Sequence, residues 1–241
     1  MLRGLLVLAV HLLAMPPLAL GGTVVALLWP RSEMVGRVAH LWSRLTLAAA
    51  GARVTVTGRE RLQAHRPAVV VANHTSALDV FLFCSLLPIP FRMVAKKQLF
   101  RIPFLGWAIA AAGFVPLERT GGRKDLDRLA SVRFDPARGE VIGFYPEGTR
   151  RRDGRLGSFK KGAFVTAIRE QVPIVPVAII GARRVLQPGS LRARAGSVEF
   201  RVLEAEPTAG LTIADADSLR DRVRARIAQA LPPDQLPAQA A

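Results

Sequence analysis

"VVVANHTSALDVF", residues 69–81, carries the reading on which the fold depends. Its small and β-branched apolar residues form a strand pattern that runs directly into Asn73, His74 and Thr75, and residues 76–87 read as a helix. His74 and Asp79 stand five residues apart. On an unbroken helix such positions lie about 140° apart around the axis and their side chains diverge. They meet only if His74 sits on the loop and Asp79 in the first turns of the helix. The carboxylate then holds one imidazole nitrogen and leaves the other to take a proton. The pair alone is a weak signal. The plainer alternative is a satisfied histidine and a helix-start aspartate, with Thr75 or Ser76 capping the helix.

Outward from this stretch, short β-branched runs alternate with helical segments. "RVTVTG", "FRMVAK", "FVPLER", "EVIGFYPEG" and "SVEFRVLE" read as strands. "PIVPVAIIG" is another, and its Pro173 and Pro176 predict an edge or irregular position, since proline donates nothing to a ladder. Helices are expected over 98–111, broken near Pro103, over 123–133 with Leu126, Leu129 and Val132 on one face, and over 160–170. A last helix is expected from Ser218, with Ser218 and Asp221 as a capping box and Leu219, Val223 and Ile227 as the buried stripe. Alternating strands and helices predict an α/β fold with a site at the strand C-termini. His74, Glu118-Arg119 and Glu147–Arg150 all follow such ends.

The chain of 241 residues carries a net charge of +16, and 29 of its 34 basic residues are arginine. That excess predicts an anionic partner: nucleic acid, an anionic membrane surface or a phosphorylated substrate. With one tyrosine and three tryptophans there is no basic stretch interleaved with aromatics for stacking bases, which argues against nucleic acid. Residues 4–29 contain no charged side chain and are long enough for a single membrane span. Pro16-Pro17 and Gly21-Gly22 interrupt them, which suits a helical hairpin in one leaflet equally well; a secretory signal is a third reading. In residues 34–47, Val35, Val38, Leu41, Trp42 and Leu45 recur at helical spacing, with Arg37, His40 and Arg44 between them. This is either a headgroup-boundary helix or one packed on the domain.

No Gly-x-Ser-x-Gly elbow, phosphate loop or dinucleotide fingerprint occurs, and the single cysteine, Cys84, lies in an apolar helical run as an inert thiol. A base without a protein nucleophile must activate a hydroxyl or water from outside. In "FYPEGTRRRDG" (144–154) a turn presents Glu147 and Arg150, whose guanidinium fork suits a phosphate. Arg119 follows another strand, and "AKKQLFRIPFLGW" (95–107) adds Lys96, Lys97 and Arg101.

"NHTSALD", "GFVPLER", "YPEGTR" and "VPIVPV", in that order, resemble the four motifs of the glycerolipid acyltransferase family, including the His-x-x-x-x-Asp pair. Within that family the motifs and chain length resemble those of the bacterial 1-acyl-glycerol-3-phosphate acyltransferases. Pro116 and Tyr145 stand where the motifs more often carry aromatic and phenylalanine residues. The resemblance implies one α/β acyltransferase domain over 51–231 with a mixed central sheet flanked by helices. Membrane-associated helices over 1–50 would precede it, and a flexible tail over 232–241 would follow. It implies His74 as base, Asp79 as its orienting partner, and Arg119, Arg150 and Lys97 on the acceptor phosphate. Glu147, Gly148 and Thr149 would bind the acceptor or structure the loop. The donor would be acyl-CoA or acyl carrier protein, with no metal or other cofactor. The acceptor would be lysophosphatidate, the product phosphatidate, and the location the cytoplasmic face of the inner membrane among anionic lipids. Acylation of another lysolipid such as lyso-ornithine lipid, a hydrolase, and a non-catalytic basic membrane-surface protein are the alternatives.

Overall fold

The structure, a computed structural model, describes residues 1–29, 32–118, 123–151 and 153–237, without the side chains of Arg123 and Leu126. Among these residues seven strands form one sheet: β1 (Ala52–Thr57), β2 (Ala68–Ala72), β3 (Phe91–Lys96), β4 (Val115–Leu117), β5 (Val141–Phe144), β6 (Ile174–Ile180) and β7 (Gly196–Val202). The helices are α1 (Leu2–Ala9), α2 (Met15–Leu28), α3 (Met34–Ala50), α4 (Arg59–Ala64), α5 (Leu78–Leu86), α6 (Leu105–Ala111), α7 (Arg123–Ala130), α8 (Gly162–Glu170), α9 (Ala182–Val185) and α10 (Ala216–Ala230).

The strand order β1-β7-β6-β2-β5-β3-β4 puts β2 at the centre. β6, β2, β5, β3 and β4 are mutually parallel, while β7 pairs antiparallel with β6 and parallel with β1, so the sheet is mixed as expected. Every residue of β2 is buried, because helices cover both faces. Side chains alternate along a strand. Val70 and Ala72 therefore enter one core with Phe83, Leu87 and Phe200, and Val69 and Val71 enter the other with Ile142, Phe164 and Leu219. Leu129 and Val132 are buried as expected, whereas the side chain of Leu126 lies outside the described residues.

Residues 2–28 make one helical run. α1 passes through a π-helical turn, Val10–Ala14, into α2. Pro16 and Pro17 have no N–H to donate to the preceding turn. The wider turn, closed by the Met15 amide on the Val10 carbonyl, takes up that misfit. The interruption expected there becomes a change of winding, so of the two readings weighed for 4–29, single span and hairpin, the structure has the continuous helix. The run has a mean hydropathy of 2.0 over its most apolar stretch and is long enough to cross a membrane. α2 packs on α3 and α6, and α3 on α5. The expected α3 stripe splits in two: Val35, Val38 and Trp42 line a cavity, while Leu41 and Leu45 are exposed beside Arg37 and Arg44. His40 leaves the basic face. Its Nε2 pairs with the Leu87 carbonyl at 3.1 Å and its ring stacks on Phe91, and burial lowers its pKa.

Three expectations are corrected. β6 is an interior strand despite Pro176, because that residue lies just beyond the end of the β7 ladder, where its carbonyl accepts the Leu203 amide at 2.9 Å. Only the irregular pairing survives. The capping box is Thr212 with Asp215; α10 begins at Ala216, so Ser218 lies inside it and accepts the Arg222 guanidinium at 2.7 Å. Leu219, Val223 and Ile227 are buried as expected. The chain after 231 is packed through its described part. Pro233–Gln235 form a 3₁₀ turn, the Gln235 carbonyl accepts the Leu156 amide at 2.8 Å, and Asp234 pairs with Arg184 at 2.9 Å.

Candidate active site

β2 ends where Asn73 takes over its pairing. The Asn73 amide group donates to the Ile179 carbonyl at 2.9 Å and its oxygen accepts the Ile179 amide at 2.7 Å. One side chain thus extends the ladder to β6 by a residue and fixes where the loop begins. His74 follows, with its ring buried. Its Nδ1 donates to Asp79 Oδ2 at 2.9 Å, and the same oxygen accepts the Thr75 and Ser76 amides, each at 2.7 Å. Ser76 Oγ in turn accepts the Leu78 amide at 3.1 Å. The structure contains the imidazole–carboxylate pair together with a local hydrogen bond from the Leu78 amide to Ser76 Oγ at the start of α5, while the Thr75 hydroxyl caps nothing among the described residues. The carboxylate that closes the start of α5 is the one that orients the imidazole. With Nδ1–H committed to Asp79, Nε2 is the nitrogen that takes a proton.

Two residues after β5 support this ring. Tyr145 stacks on His74 with ring centroids 4.1 Å apart, stacks on Phe83 at 4.7 Å, and donates its hydroxyl to the Asp79 carbonyl. Glycine at 143 makes room beneath: a Cβ there would come within 3.0 Å of the Phe83 ring. Glu147 accepts the His74 amide at 2.7 Å through Oε1 and the Gly157 amide at 2.9 Å through Oε2. Both oxygens hold backbone, so Glu147 structures the two loops. Burial pushes its pKa up to about 7, against the pull of those two amides. Gly148, at φ +73°, makes the turn that brings Thr149 and Arg150 back beside His74.

His74, Gly148, Thr149 and Arg150 line one wall of a cavity of about 600 Å³. The rest of the lining is largely apolar, with Leu18, Val38, Trp42, Phe81 and Ile109 drawn from α2, α3, α5 and α6. Asp79 and Glu147 stand behind the wall. Lys96, exposed at the end of β3, reaches the cavity, whereas Lys97 pairs with Glu118 at 2.9 Å and is not part of the lining. Of the two neighbouring lysines, Lys96 is the one in the lining. Arg119 lies outside the described residues. Burial pushes the Cys84 thiol up to about 12, in keeping with an inert thiol.

Residues 53–180 match the family model described as Acyltransferase. The chain is 35% identical over 195 residues to a chloroplastic 1-acyl-sn-glycerol-3-phosphate acyltransferase of Arabidopsis thaliana, covering 80% of this chain and 53% of that one. It is 36% identical over 172 residues to the beta 1-acyl-sn-glycerol-3-phosphate acyltransferase of Homo sapiens, covering 71% and 62%. This chain spans about half the length of the plant and algal relatives it matches. The crystal structure of the 1-acyl-sn-glycerophosphate acyltransferase of Thermotoga maritima shares the fold, with a TM-score of 0.76 at 24% identity over 94% of this chain and 93% of that one. The matched span holds both members of the His74–Asp79 pair and the turn that carries Arg150. The chain belongs to the acyltransferase family.

Proposed function

We propose that this protein moves a fatty acyl group from acyl-CoA or acyl carrier protein to the 2-hydroxyl of 1-acyl-glycerol-3-phosphate, giving phosphatidate. The observation that carries the reading is a buried imidazole, held by a buried carboxylate, on the wall of an apolar cavity that also receives Arg150 and Lys96. His74 Nε2 takes the hydroxyl proton as the oxygen attacks the thioester carbonyl. The tetrahedral intermediate expels the thiolate, which recovers the proton from the imidazolium. Arg150 and Lys96 bind the acceptor phosphate, joined by Arg119 from beyond β4; Lys97 acts through its pair with Glu118. The apolar cavity takes the acyl chain. The reaction so written uses no metal and no cofactor beyond the donor thioester.

The location proposed is the cytoplasmic face of the inner membrane. Supporting it are the apolar run at 2–28, the exposed Leu41, Leu45 and Trp107, and a net charge of +16 suited to anionic lipids. The test is product analysis with purified protein, lysophosphatidate and acyl-CoA. Phosphatidate is the expected product. Free fatty acid in its place would make the protein a hydrolase, and transfer only to lysolipids without a phosphate monoester would remove the role given to Arg150.

A further inference from the structure

The cavity is apolar along most of its length, yet His11 is part of its lining. This histidine sits in the π-helical turn between α1 and α2, and its Nδ1 lies 2.8 Å from the Val7 carbonyl. A carbonyl oxygen only accepts, so Nδ1 carries the hydrogen and Nε2 of the neutral ring carries a lone pair. Among the described residues nothing donates to that lone pair. The ring is enclosed edge-on by Trp42 and Phe81, each 5.4 Å away between centroids, and these two rings meet each other at 5.3 Å. The indole Nε1–H of Trp42 is also buried without an acceptor. An unpartnered buried polar atom is destabilising. A half-buried acceptor, His11 Nε2, and a buried donor, Trp42 Nε1, therefore stand in one three-ring cluster on the wall of a cavity otherwise suited to hydrocarbon.

The cavity follows α5, since Ala77, Val80, Phe81 and Cys84 all line it. His74 lies at the start of this helix. Phe81 lies one helical turn beyond Ala77, so the His11 cluster meets the cavity further along α5 than the end that carries His74. A hydroxyl group offers one hydrogen and two lone pairs, and so meets the requirement of both rings. Resting on the acyl-transfer reading above, we propose that His11, with Trp42, forms a polar station in the acyl cavity. It binds a hydroxyl on the acyl chain, so that the protein selects acyl groups hydroxylated at one position over unsubstituted chains of the same length. His11 accepts the hydroxyl hydrogen, and the Trp42 N–H donates to the hydroxyl oxygen.

The test uses the purified full chain, lysophosphatidate, and acyl-CoA donors of one length bearing a single hydroxyl at successive carbons, with the unsubstituted donor as reference. The readout is the ratio of kcat/KM between each hydroxylated donor and the reference, taken within each protein so that overall activity cancels. One position is expected to stand out by about tenfold. That ratio should fall to about one in His11→Leu, fall partway in Trp42→Phe, and persist in His11→Gln, which keeps an acceptor. A flat series in the unaltered protein overturns the proposal, as does a preference that His11→Leu and Trp42→Phe both leave intact. If no donor yields phosphatidate, the acyl-transfer reading falls. Displacement of a fluorescent fatty acid by hydroxylated and unsubstituted fatty acids then decides the station by itself, with equal displacement overturning it.

Discussion

Asp79 Oδ2 accepts three hydrogen bonds, from an imidazole and two amides, in a fully buried position. Asparagine would keep an acceptor there but lose the charge that favours imidazolium as the hydroxyl proton arrives. Asp79→Asn should lower kcat by about 1000-fold with little change in the acceptor KM, as measured by steady-state kinetics. Arg150 lines the cavity and is the phosphate contact of the proposed reaction, so Arg150→Ala should raise the lysophosphatidate KM by about tenfold or more. An effect confined to the acyl donor would assign that guanidinium to the other substrate. Glu147 gives the pH dependence. Its pKa is raised from 4.5 to about 7, so between those values the folded state holds a proton that the unfolded state has released. Stability therefore falls as pH rises through that window, by about 3 kcal/mol in all, and below 4.5 the difference vanishes. Unfolding followed from pH 4 to 8 should show this loss in the parent and not in Glu147→Gln. The placement of His74, Asp79 and Arg150 at one site was legible because each lies within a short motif at a strand end. Asn73 and Tyr145 were not, since Asn73 is defined by β6, 106 residues away, and Tyr145 by the helix that starts after the loop. Which of Lys96 and Lys97 faces the cavity depends on the residue on which β3 ends, a boundary that sequence leaves loose.

At the scale of elements, the strand-loop-helix around His74 was readable because a strand-like run meets a polar loop and then a helix. Pro176 misled on sheet position: the rule that excludes proline from interior strands assumes a continuous ladder, and here β7 stops one residue short. Pro16-Pro17 misled in the opposite sense, because a π turn lets a helix absorb lost donors that would otherwise end it. α5 connects the core to the site through Phe83, which is fully buried and stacks under Tyr145, itself stacked on His74. Phe83→Ala should cost about 3–5 kcal/mol and lower the thermal midpoint by about 10 °C. Because it also frees the Tyr145 ring, kcat should fall in the fraction that remains folded. A variant that loses stability but keeps full kcat would disconnect the stack from the chemistry.

For the whole molecule, the N-terminal helices close one side of the cavity and at the same time expose leucines along α1 and α2. If apolar insertion holds the protein on the bilayer, attachment should survive about 1 M salt, where the screening length is only about 3 Å. Sedimentation with vesicles checks this, and release by salt would make the basic surface the main anchor. The central claim is that His74 is the base. The most direct measurement compares phosphatidate formation by the parent and by His74→Ala, with circular dichroism confirming the fold of each. The expected result is a fall in rate of about 1000-fold or more. A folded His74→Ala that retained about a tenth of the parent rate would contradict the assignment and, with it, the reaction built on it.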